Sequence, residues 1–567
     1  MFNLNALQSS LIDDLLAFAP ELILCGGIVL LLILRMFRAL DRVHLGSIAL
    51  ILTLAALAFS FQQWQSIPRG GAGEIFSGLL AYDRFTVFLR LFLFGFAALL
   101  IWLSMLTGIP DSEDSGDFYC LLLGATIGMS LMASATHLLM VYIGVEMASL
   151  PSYALAGFLK GKRQASEASL KYVVYGGGAS GVMLYGISLL AGKFGTAYLP
   201  DLASVYVKAL QQSPAASAIG VDPYLLLGTM LILIGMGFKL AAVPFHFWCP
   251  DVFEGAAAEV AAFLSVASKG AALALVGRFS LILAGLATPG PVRYDDWLRV
   301  AHYLVPGLAF FAVLTTTFGN LAAYLQTNLK RLLAYSTIAQ AGYMMMGLAA
   351  LNREGVSAVL FYLGAYLFMN LGAFAVVAFL RNQTGSEELS SYRGLVYRSP
   401  LMGVLLSIFL LSLLGMPPLA GFAAKFQILS ALTDAGQAYT TSGETALGYT
   451  MYILLAALVL NTALSAVYYI KVMKVMILDK TVEVVEGRPS PEIPMPPGTA
   501  FYAVLLAAMI FVVGIAWNPL AIASDAGVDG FREAVKPPNR VAGAEAAKPQ
   551  SERTKNQEPR TKSKDRR

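Results

Sequence analysis

Three lysines lie within long apolar stretches of this sequence: Lys239, Lys269 and Lys425. A charged side chain at bilayer depth is energetically costly, so such residues usually face a protein interior or water and mark an ion or proton path. Glu146, which lies in another apolar stretch, has the opposite charge and is a candidate partner for one of the lysines. These four residues predict a route for protons or ions through a membrane.

Composition places these residues in a membrane protein. Hydrophobic residues make up 57% of the chain and charged residues 13%, with a mean hydropathy of +0.68. These values are typical of polytopic membrane proteins rather than soluble domains. Since about 20 apolar residues span a bilayer as a helix, the sequence predicts an all-α protein with about fourteen transmembrane spans, near residues 17–35, 44–63, 80–107, 118–135, 138–159, 171–192, 224–247, 257–285, 303–325, 331–350, 356–380, 400–433, 449–477 and 500–521.

Span 7 is predicted to be interrupted beside the first lysine. Pro244 has no N–H to donate to the carbonyl of Leu240, and its ring crowds the preceding turn. The helix is therefore expected to kink or open next to Lys239. Broken helices at membrane depth persist where the freed backbone groups are buried in protein or hydrated, as in transporter binding sites.

Span 12 contains a second predicted break. Pro417 and Pro418 free the carbonyls of Leu413 and Leu414, shortly before Lys425. The span is also longer than one bilayer crossing requires. It is therefore expected to form two half-helices.

The two breaks occupy matching positions in a predicted internal repeat. Spans 4–8 and spans 9–13 each form a five-helix unit whose fourth member contains proline and a lone lysine. An odd number of helices per unit inverts the second copy relative to the first. The sequence therefore predicts two inverted five-helix repeats with broken spans 7 and 12.

Basic residues in the loops predict the orientation. With the N-terminus outside, the cytoplasmic loops carry sixteen Lys and Arg residues and the opposite loops carry seven. Fourteen spans place both termini on the non-cytoplasmic side. The transmembrane domain is expected to cover residues 1–523.

Residues 524–567 are predicted to form a basic, disordered C-terminal tail, because apolar runs stop and Pro, Lys, Arg, Glu, Asn and Ser dominate. Residues 531–567 hold eleven Lys and Arg against five Asp and Glu. A solvated tail is favoured over a contact with anionic lipid or a neighbouring subunit.

No cofactor or metal site is expected in this chain. Cys25, Cys120 and Cys249 lie far apart without CxxC spacing, which argues against an iron–sulfur cluster. The four histidines are scattered, and no phosphate-binding glycine motif follows a predicted strand. Redox chemistry linked to this protein is therefore expected in another subunit.

Four segments resemble the antiporter-like subunits of proton-translocating NADH–quinone oxidoreductase, respiratory complex I. They are VPFHFWCPDVFEG at 243–255, AFLSVASKG at 262–270, NLKRLLAYSTIAQAGY at 328–343 and GMPPLAGFAAKF at 415–426. Among these antiporter-like subunits, Lys425 and the residues after Trp248 resemble subunit N more than its sibling subunits. The resemblance covers about residues 15–521 and implies a proton-conducting subunit of the bacterial inner membrane. It implies the bilayer and other membrane-arm subunits, including antiporter-like ones, as partners, with NADH and quinone bound elsewhere and no nucleic acid.

Burial and charge suggest a role for each candidate residue. Burial disfavours the charged form of a lysine, whereas a nearby carboxylate favours it. Glu146 and Lys239 are therefore interpreted as a coupled pair, Lys269 as a central relay and Lys425 as the exit-side proton donor. For His246, a relay role and a packed structural role remain equally open.

Other interpretations remain beside this one. The chain could belong to a stand-alone cation/proton antiporter, or be a structural subunit that transports nothing. Glu146 and Lys239 could form a fixed buried pair, and Lys269 could be bonded to backbone carbonyls. Glu21, Arg90 and Arg278 are interpreted as structural, with the two arginines reaching a membrane interface.

Two segments depart from the pattern of the family that the sequence resembles. Its members usually read Glu-Gly-Ala-Pro-Thr-Pro-Val where this chain has Ala257, Ala258 and Glu259. A first-turn acid stabilised by the helix dipole is favoured for Glu259 over a new proton site. Gln340 stands where many members place histidine, and an amide can orient water but cannot carry the proton.

Overall fold

The computed structural model of the protein describes residues 4–36, 44–110, 114–212, 222–287, 293–480, 487 and 492–533. These residues form twenty-one α-helices and one antiparallel hairpin. The helices are α1 Leu4–Ala17, α2 Ala19–Met36, α3 Leu45–Ser66, α4 Arg84–Thr107, α5 Ser115–Ser134, α6 Leu138–Ala156, α7 Arg163–Phe194, α8 Leu199–Gln212, α9 Pro223–Leu240, α10 Trp248–Gly255, α11 Ala258–Phe263, α12 Lys269–Leu283, α13 Tyr294–Ala323, α14 Leu329–Ala349, α15 Arg353–Thr384, α16 Leu395–Arg398, α17 Pro400–Leu414, α18 Ala420–Thr441, α19 Thr445–Ile477, α20 Pro497–Ile515 and α21 Asn518–Gly527.

Three shorter elements complete the described part. A π-helical segment, Leu264–Ser268, joins α11 to α12, and a 3₁₀ turn covers Leu389–Tyr392. The hairpin strands are β1 Ala72–Ile75 and β2 Leu80–Asp83, with Ala72 opposite Asp83.

All fourteen predicted spans correspond to helices. Twelve helices of the described residues have the length and apolar composition to cross a membrane, when α11, the π segment and α12 are taken as one. The two remaining predictions correspond to α14 and to α17 with α18. The prediction of an all-α polytopic membrane protein is confirmed.

The inverted repeat is visible in matching backbone hydrogen bonds. The chain before α6 and the chain after α7 pair through residues 136–138 and 197–199, at N···O distances of 2.8 and 2.9 Å. The chain before α14 and the chain after α15 pair in the same way through residues 327–329 and 387–389, at 2.7 and 3.0 Å. Because five spans separate the two pairings, they lie at opposite ends of the bundle.

Both predicted helix breaks are present. In span 7, α9 ends at Leu240, where Ala241 has φ +54°, and α10 begins at Trp248. In span 12, α17 ends at Leu414, and Gly415 adopts φ +93°, a conformation that glycine reaches without a steric penalty. The backbone carbonyls at both breaks are left for partners outside the helix.

Arg90 does not extend to a membrane interface, as the sequence suggested, but is buried among the first helices. Its Nε donates to Glu21 Oε1 at 2.7 Å, and its Nη1 donates to Gln63 Oε1 and the Ala17 carbonyl, both at 2.9 Å. The sequence suggested an interface because a long side chain can reach out of an apolar helix, but here three acceptors satisfy it internally. These hydrogen bonds of Arg90 join α4 to α2 and α3.

Arg278 is likewise buried rather than exposed at an interface. Its Nη1 and Nη2 donate to the two carboxylate oxygens of Asp83 at 2.8 and 2.9 Å, and its Nε donates to the Ala133 carbonyl at 2.7 Å. Such a two-point arrangement is among the strongest charge-assisted contacts in proteins. It fixes α12 against α4 and α5.

The packed part of the chain extends to residue 533, ten residues beyond the boundary expected from composition. Phe531 is buried against Phe85, with ring centroids 5.3 Å apart, and the Arg532 N–H donates to the Leu286 carbonyl at 2.8 Å. Composition gave the wrong boundary because these few apolar contacts lie among small and polar residues. The rest of the predicted tail, 534–567, lies outside the described residues.

Candidate proton pathway

Lys239 lies in the last turn of α9, directly before the break, and is only 1% exposed. Its Nζ donates to the hydroxyl of Ser149 on α6 at 2.9 Å. Glu146, one turn earlier on α6, interacts electrostatically with Lys239, but the two form no ion pair within 4.0 Å in the described part of the chain. One carboxylate oxygen of Glu146 is buried without a hydrogen-bond partner. The predicted pair is therefore near but not in direct contact.

Lys269 begins α12, immediately after the π-helical segment, and is 1% exposed. Its Nζ lies 3.9 Å from the sulfur of Cys249 on α10. Cys249 reaches this lysine from α10, the short helix that follows the break in span 7. The sequence alone did not single out Cys249 as a neighbour of this lysine.

His246 lies within the break of span 7 and is buried. Its ring packs between Phe247 and Phe318, at centroid distances of 4.5 Å to each, and it interacts electrostatically with Lys269. Its Nδ1 has no hydrogen-bond partner among the residues that the structure describes. The side chain is thus both packed and close to the central lysine.

Lys425 lies in the second turn of α18 and is 5% exposed. Its Nζ donates to the Leu414 carbonyl at 2.9 Å and lies 4.5 Å from the ring centre of Tyr343. The Leu413 carbonyl accepts from the Gln340 amide at 3.0 Å. Both carbonyls that the proline pair was predicted to free therefore have side-chain partners.

A set of buried polar side chains extends from Tyr366, which interacts electrostatically with the Lys269 neighbour Cys249, to the break that precedes Lys425. Tyr366 on α15 donates to Thr337 Oγ1 at 3.1 Å, and Tyr362, one turn away, donates to Gln340 Oε1. The Gln340 amide also lies 3.4 Å from the Tyr469 hydroxyl. Sequence reasoning missed these tyrosines. The sequence did contain a signal for them, because two tyrosines lie four residues apart deep within one span. Tyrosines of membrane helices are usually enriched at the membrane interfaces instead.

The three lysines share one chemical feature: each is bonded to a neutral acceptor. The acceptors are a hydroxyl, a thiol and a backbone carbonyl. A neutral acceptor stabilises an ammonium group but does not demand that it stay charged, as a contacting carboxylate would. This arrangement suits groups that gain and lose protons.

No side-chain cluster suited to a metal ion occurs within the described ranges, where groups of three or more His, Cys, Asp or Glu are absent. The cysteines are unpaired; Cys25 is exposed and Cys249 is buried.

Comparison with known proteins identifies the family. Residues 135–446, which cover most of both repeats, match the family described as NADH:quinone oxidoreductase/Mrp antiporter, TM. The chain is 40% identical over 521 residues to subunit N of the NADH-quinone oxidoreductase of Anaeromyxobacter sp. (strain Fw109-5), covering 91% of this chain and 96% of that one. The chain belongs to the subunit N family. The resemblance carried by the four sequence segments is confirmed.

Solved structures agree with this assignment. A chain of respiratory complex I from Thermus thermophilus is 29% identical, with a TM-score of 0.67 over 90% of this chain and all of that chain. A chain of the Mrp complex from Dietzia sp. has a TM-score of 0.72 at 19% identity, covering 91% of this chain and 97% of that one. At that identity the Mrp likeness concerns the fold alone.

Proposed function

We propose that this chain conducts protons across the bacterial inner membrane as a membrane-arm subunit of NADH–quinone oxidoreductase. Quinone reduction in other subunits would drive the transport. Its partners would be the neighbouring membrane-arm subunits, including other antiporter-like ones, and the chain itself would hold no redox centre. The basic loops favour both termini on the non-cytoplasmic side.

The observation that carries this proposal is a series of three buried lysines, two at the helix breaks and Lys269 at the π-helical segment, each held by a neutral acceptor. Lone intramembrane lysines are costly and are characteristic of ion and proton paths. The hydroxyls of Tyr362, Tyr366 and Thr337 and the Gln340 amide supply polar groups between the central and the second-repeat lysine. A purely structural subunit would not require such a series.

Proton movement would follow the order of the lysines. A change in the position of Glu146 would alter the charge balance at Lys239 and release its proton toward Lys269. Water and the tyrosine hydroxyls would carry the proton to Lys425, with Gln340 orienting water without being protonated itself. Lys425 would release the proton to the outer side, and His246 would assist at Lys269.

A stand-alone cation/proton antiporter is the second candidate, since the fold is shared with the Mrp chain. The 40% identity to subunit N over nearly the full length favours the oxidoreductase. Purification of the tagged chain decides between them. Co-purification with NADH-oxidising subunits supports the oxidoreductase, whereas a complex without them supports the antiporter.

The direct test is Lys269→Ala in the purified complex reconstituted into vesicles, with proton uptake and NADH oxidation measured together. The expected result is a loss of most proton translocation per NADH in an assembled complex. Lys208→Ala is the matched control, since Lys208 lies exposed on α8. A wild-type proton ratio for Lys269→Ala would contradict the proposed function.

A further inference from the structure

Four charged side chains form a buried cluster at the end of the bundle where α11 and α14 begin and α15 ends. Arg381 Nη2 lies 3.4 Å from Glu259 Oε1. The Lys330 ammonium contacts Glu387 at 2.8 Å and the Ala256 carbonyl at 2.6 Å, and it interacts electrostatically with Glu259. Glu259 is 0% exposed, whereas the Glu387 side chain is partly exposed. The cluster therefore reaches from the surface to a fully buried carboxylate.

Glu259 lies in the first turn of α11, as its position suggested. It is also completely buried. Its Oε2 is buried without a hydrogen-bond partner, although the charge of Arg381 is close. A buried carboxylate oxygen left unsatisfied costs free energy, so it normally has a partner or an ordered water.

Two more buried polar atoms of the same cluster lack partners within the described part of the chain: Nη1 of Arg381 and the hydroxyl of Tyr392. Tyr392 belongs to the cluster because it interacts electrostatically with Glu387 and Arg381. A carboxylate oxygen, a guanidinium N–H and a hydroxyl together provide the acceptor and donors that an internal water requires. The cluster is therefore suited to hold water next to Glu259.

A second polar group lies deeper along the same helix interface. Arg381 and Asn370 are eleven residues apart on α15, about three helical turns, and so share one face. Asn370 Nδ2 donates to Ser265 Oγ at 2.5 Å, while its Oδ1 is buried without a partner. Ser265 lies in the π segment that leads directly to Lys269. Polar groups that need water thus recur between Glu259 and the central lysine.

An aromatic pair lies between these two polar groups. Phe374 occupies the same face of α15 between Asn370 and Arg381, and its ring packs 6.0 Å from that of Phe253. Hydrophobic constrictions of this kind interrupt water chains and can gate them. A proton at Glu259 would therefore be held until the path to Lys269 became hydrated.

We propose that Glu259, oriented by Arg381, is a proton-loading site. It lies at the end of the bundle where α11 begins, and a path leads from it to Lys269. This inference rests on the proposed function. Water donates a proton to Oε2 and is reprotonated from the adjoining solution. The carboxyl then gives that proton to the water chain toward Lys269 and returns to a carboxylate paired with Arg381.

The geometry of Arg381 and Glu259 differs from that of a structural ion pair in the same protein. Asp83 uses both carboxylate oxygens to bind Arg278, each within 2.9 Å. Glu259 uses one oxygen at 3.4 Å and leaves the other free to take a proton. The cluster contains two acidic and two basic side chains, so its charges balance. Protonation of Glu259 therefore leaves the cluster with a net positive charge, which favours release of the proton toward Lys269.

The test measures proton translocation by Glu259→Gln in reconstituted vesicles while the pH on the uptake side is varied between about 6 and 8. Glutamine keeps the shape of the side chain but cannot load a proton. We expect near-normal rates at the acidic end and a severalfold loss at the alkaline end, since capture of protons then limits the rate. Glu259→Asp, which restores a titratable carboxyl, should recover most of that loss.

Two further variants separate the possible outcomes. Glu254→Gln is the matched control, because Glu254 pairs with Arg331 in a half-exposed contact and should leave the profile unchanged. If Lys269→Ala stops pumping while Glu259→Gln keeps the wild-type profile, the loading site is wrong and the proposed function stands. If Lys269→Ala pumps normally, the proposed function itself fails. Loss of assembly in Glu259→Gln would assign the residue a structural role and overturn the inference.

Discussion

The buried arginines Arg90 and Arg278 and the buried lysines of the pathway have different kinds of partner. Arg278 contacts both oxygens of Asp83, and Arg90 contacts Glu21. The lysines of the pathway contact only neutral acceptors. Arginine stays protonated at any working pH, whereas a buried lysine changes its protonation state readily. The contrast separates charges that hold the helices together from charges that can move protons.

The two kinds of site also respond differently to loss of one member. Removing a side chain from a contacting buried ion pair leaves an uncompensated charge in a medium of low dielectric constant. Removing a lysine from a neutral acceptor leaves a hydroxyl, a thiol or a carbonyl without that donor, but it leaves no contacting carboxylate unpaired. The Ser149 hydroxyl also donates to the Val145 carbonyl at 2.5 Å.

The largest effect on folding is therefore expected for Arg278→Ala. The change leaves Asp83 buried and unpaired, which costs about 3–5 kcal/mol, and the complex should assemble poorly. Arg69→Ala, at an exposed loop position, is the control. Native gels report the amount assembled, and wild-type amounts for Arg278→Ala would remove the distinction between the two kinds of site.

Lys239→Ala should have the opposite profile, with normal assembly and strongly reduced pumping. The substitution leaves no buried charge in direct contact, because Ser149 is the bonded partner. Glu146→Ala should reduce pumping in the same way if its charge controls Lys239. Proton ratios per NADH are measured in vesicles, and normal ratios for both variants would refute the coupled pair.

The smallest effect is expected from removal of the C-terminal residues 534–567, which should leave activity nearly intact because their composition lacks apolar surface. Truncation after residue 523 should be more damaging, because it also removes Phe531, whose ring centre lies 5.8 Å from the Arg278 guanidinium. Thermal stability and assembly of the two truncated proteins test this. Loss of assembly in the shorter deletion would identify the tail as a docking segment.

Spans and breaks could be predicted from the sequence because both depend on local properties. Hydropathy located fourteen spans, and the missing N–H of Pro244, Pro417 and Pro418 located the interruptions. The carbonyls freed in span 12 were expected to be buried in protein or hydrated, and both accept hydrogen bonds from buried side chains.

The partners themselves could not be predicted, because they come from distant parts of the chain. Asp83 and Arg278 are 195 positions apart, and Asp83 lies just before its helix, where an acid usually indicates a cap. Ser149 bonds Lys239 from 90 positions away and has no distinguishing sequence signal. The position of Glu259 in the sequence indicated an acid in the first turn of a helix. Its complete burial and its unpartnered carboxylate oxygen result from packing against α15, which the sequence did not reveal.

Proton translocation by Lys425→Arg tests the central claim most directly. Arginine preserves the charge and can still donate to the Leu414 carbonyl, but it cannot release a proton. Each charge moved across 100 mV stores about 2.3 kcal/mol, so a donor that stays protonated stalls the step that stores this energy. Lys425→Arg, in a complex verified on native gels, is expected to pump nearly as poorly as Lys425→Ala. Wild-type pumping by Lys425→Arg would contradict the central claim.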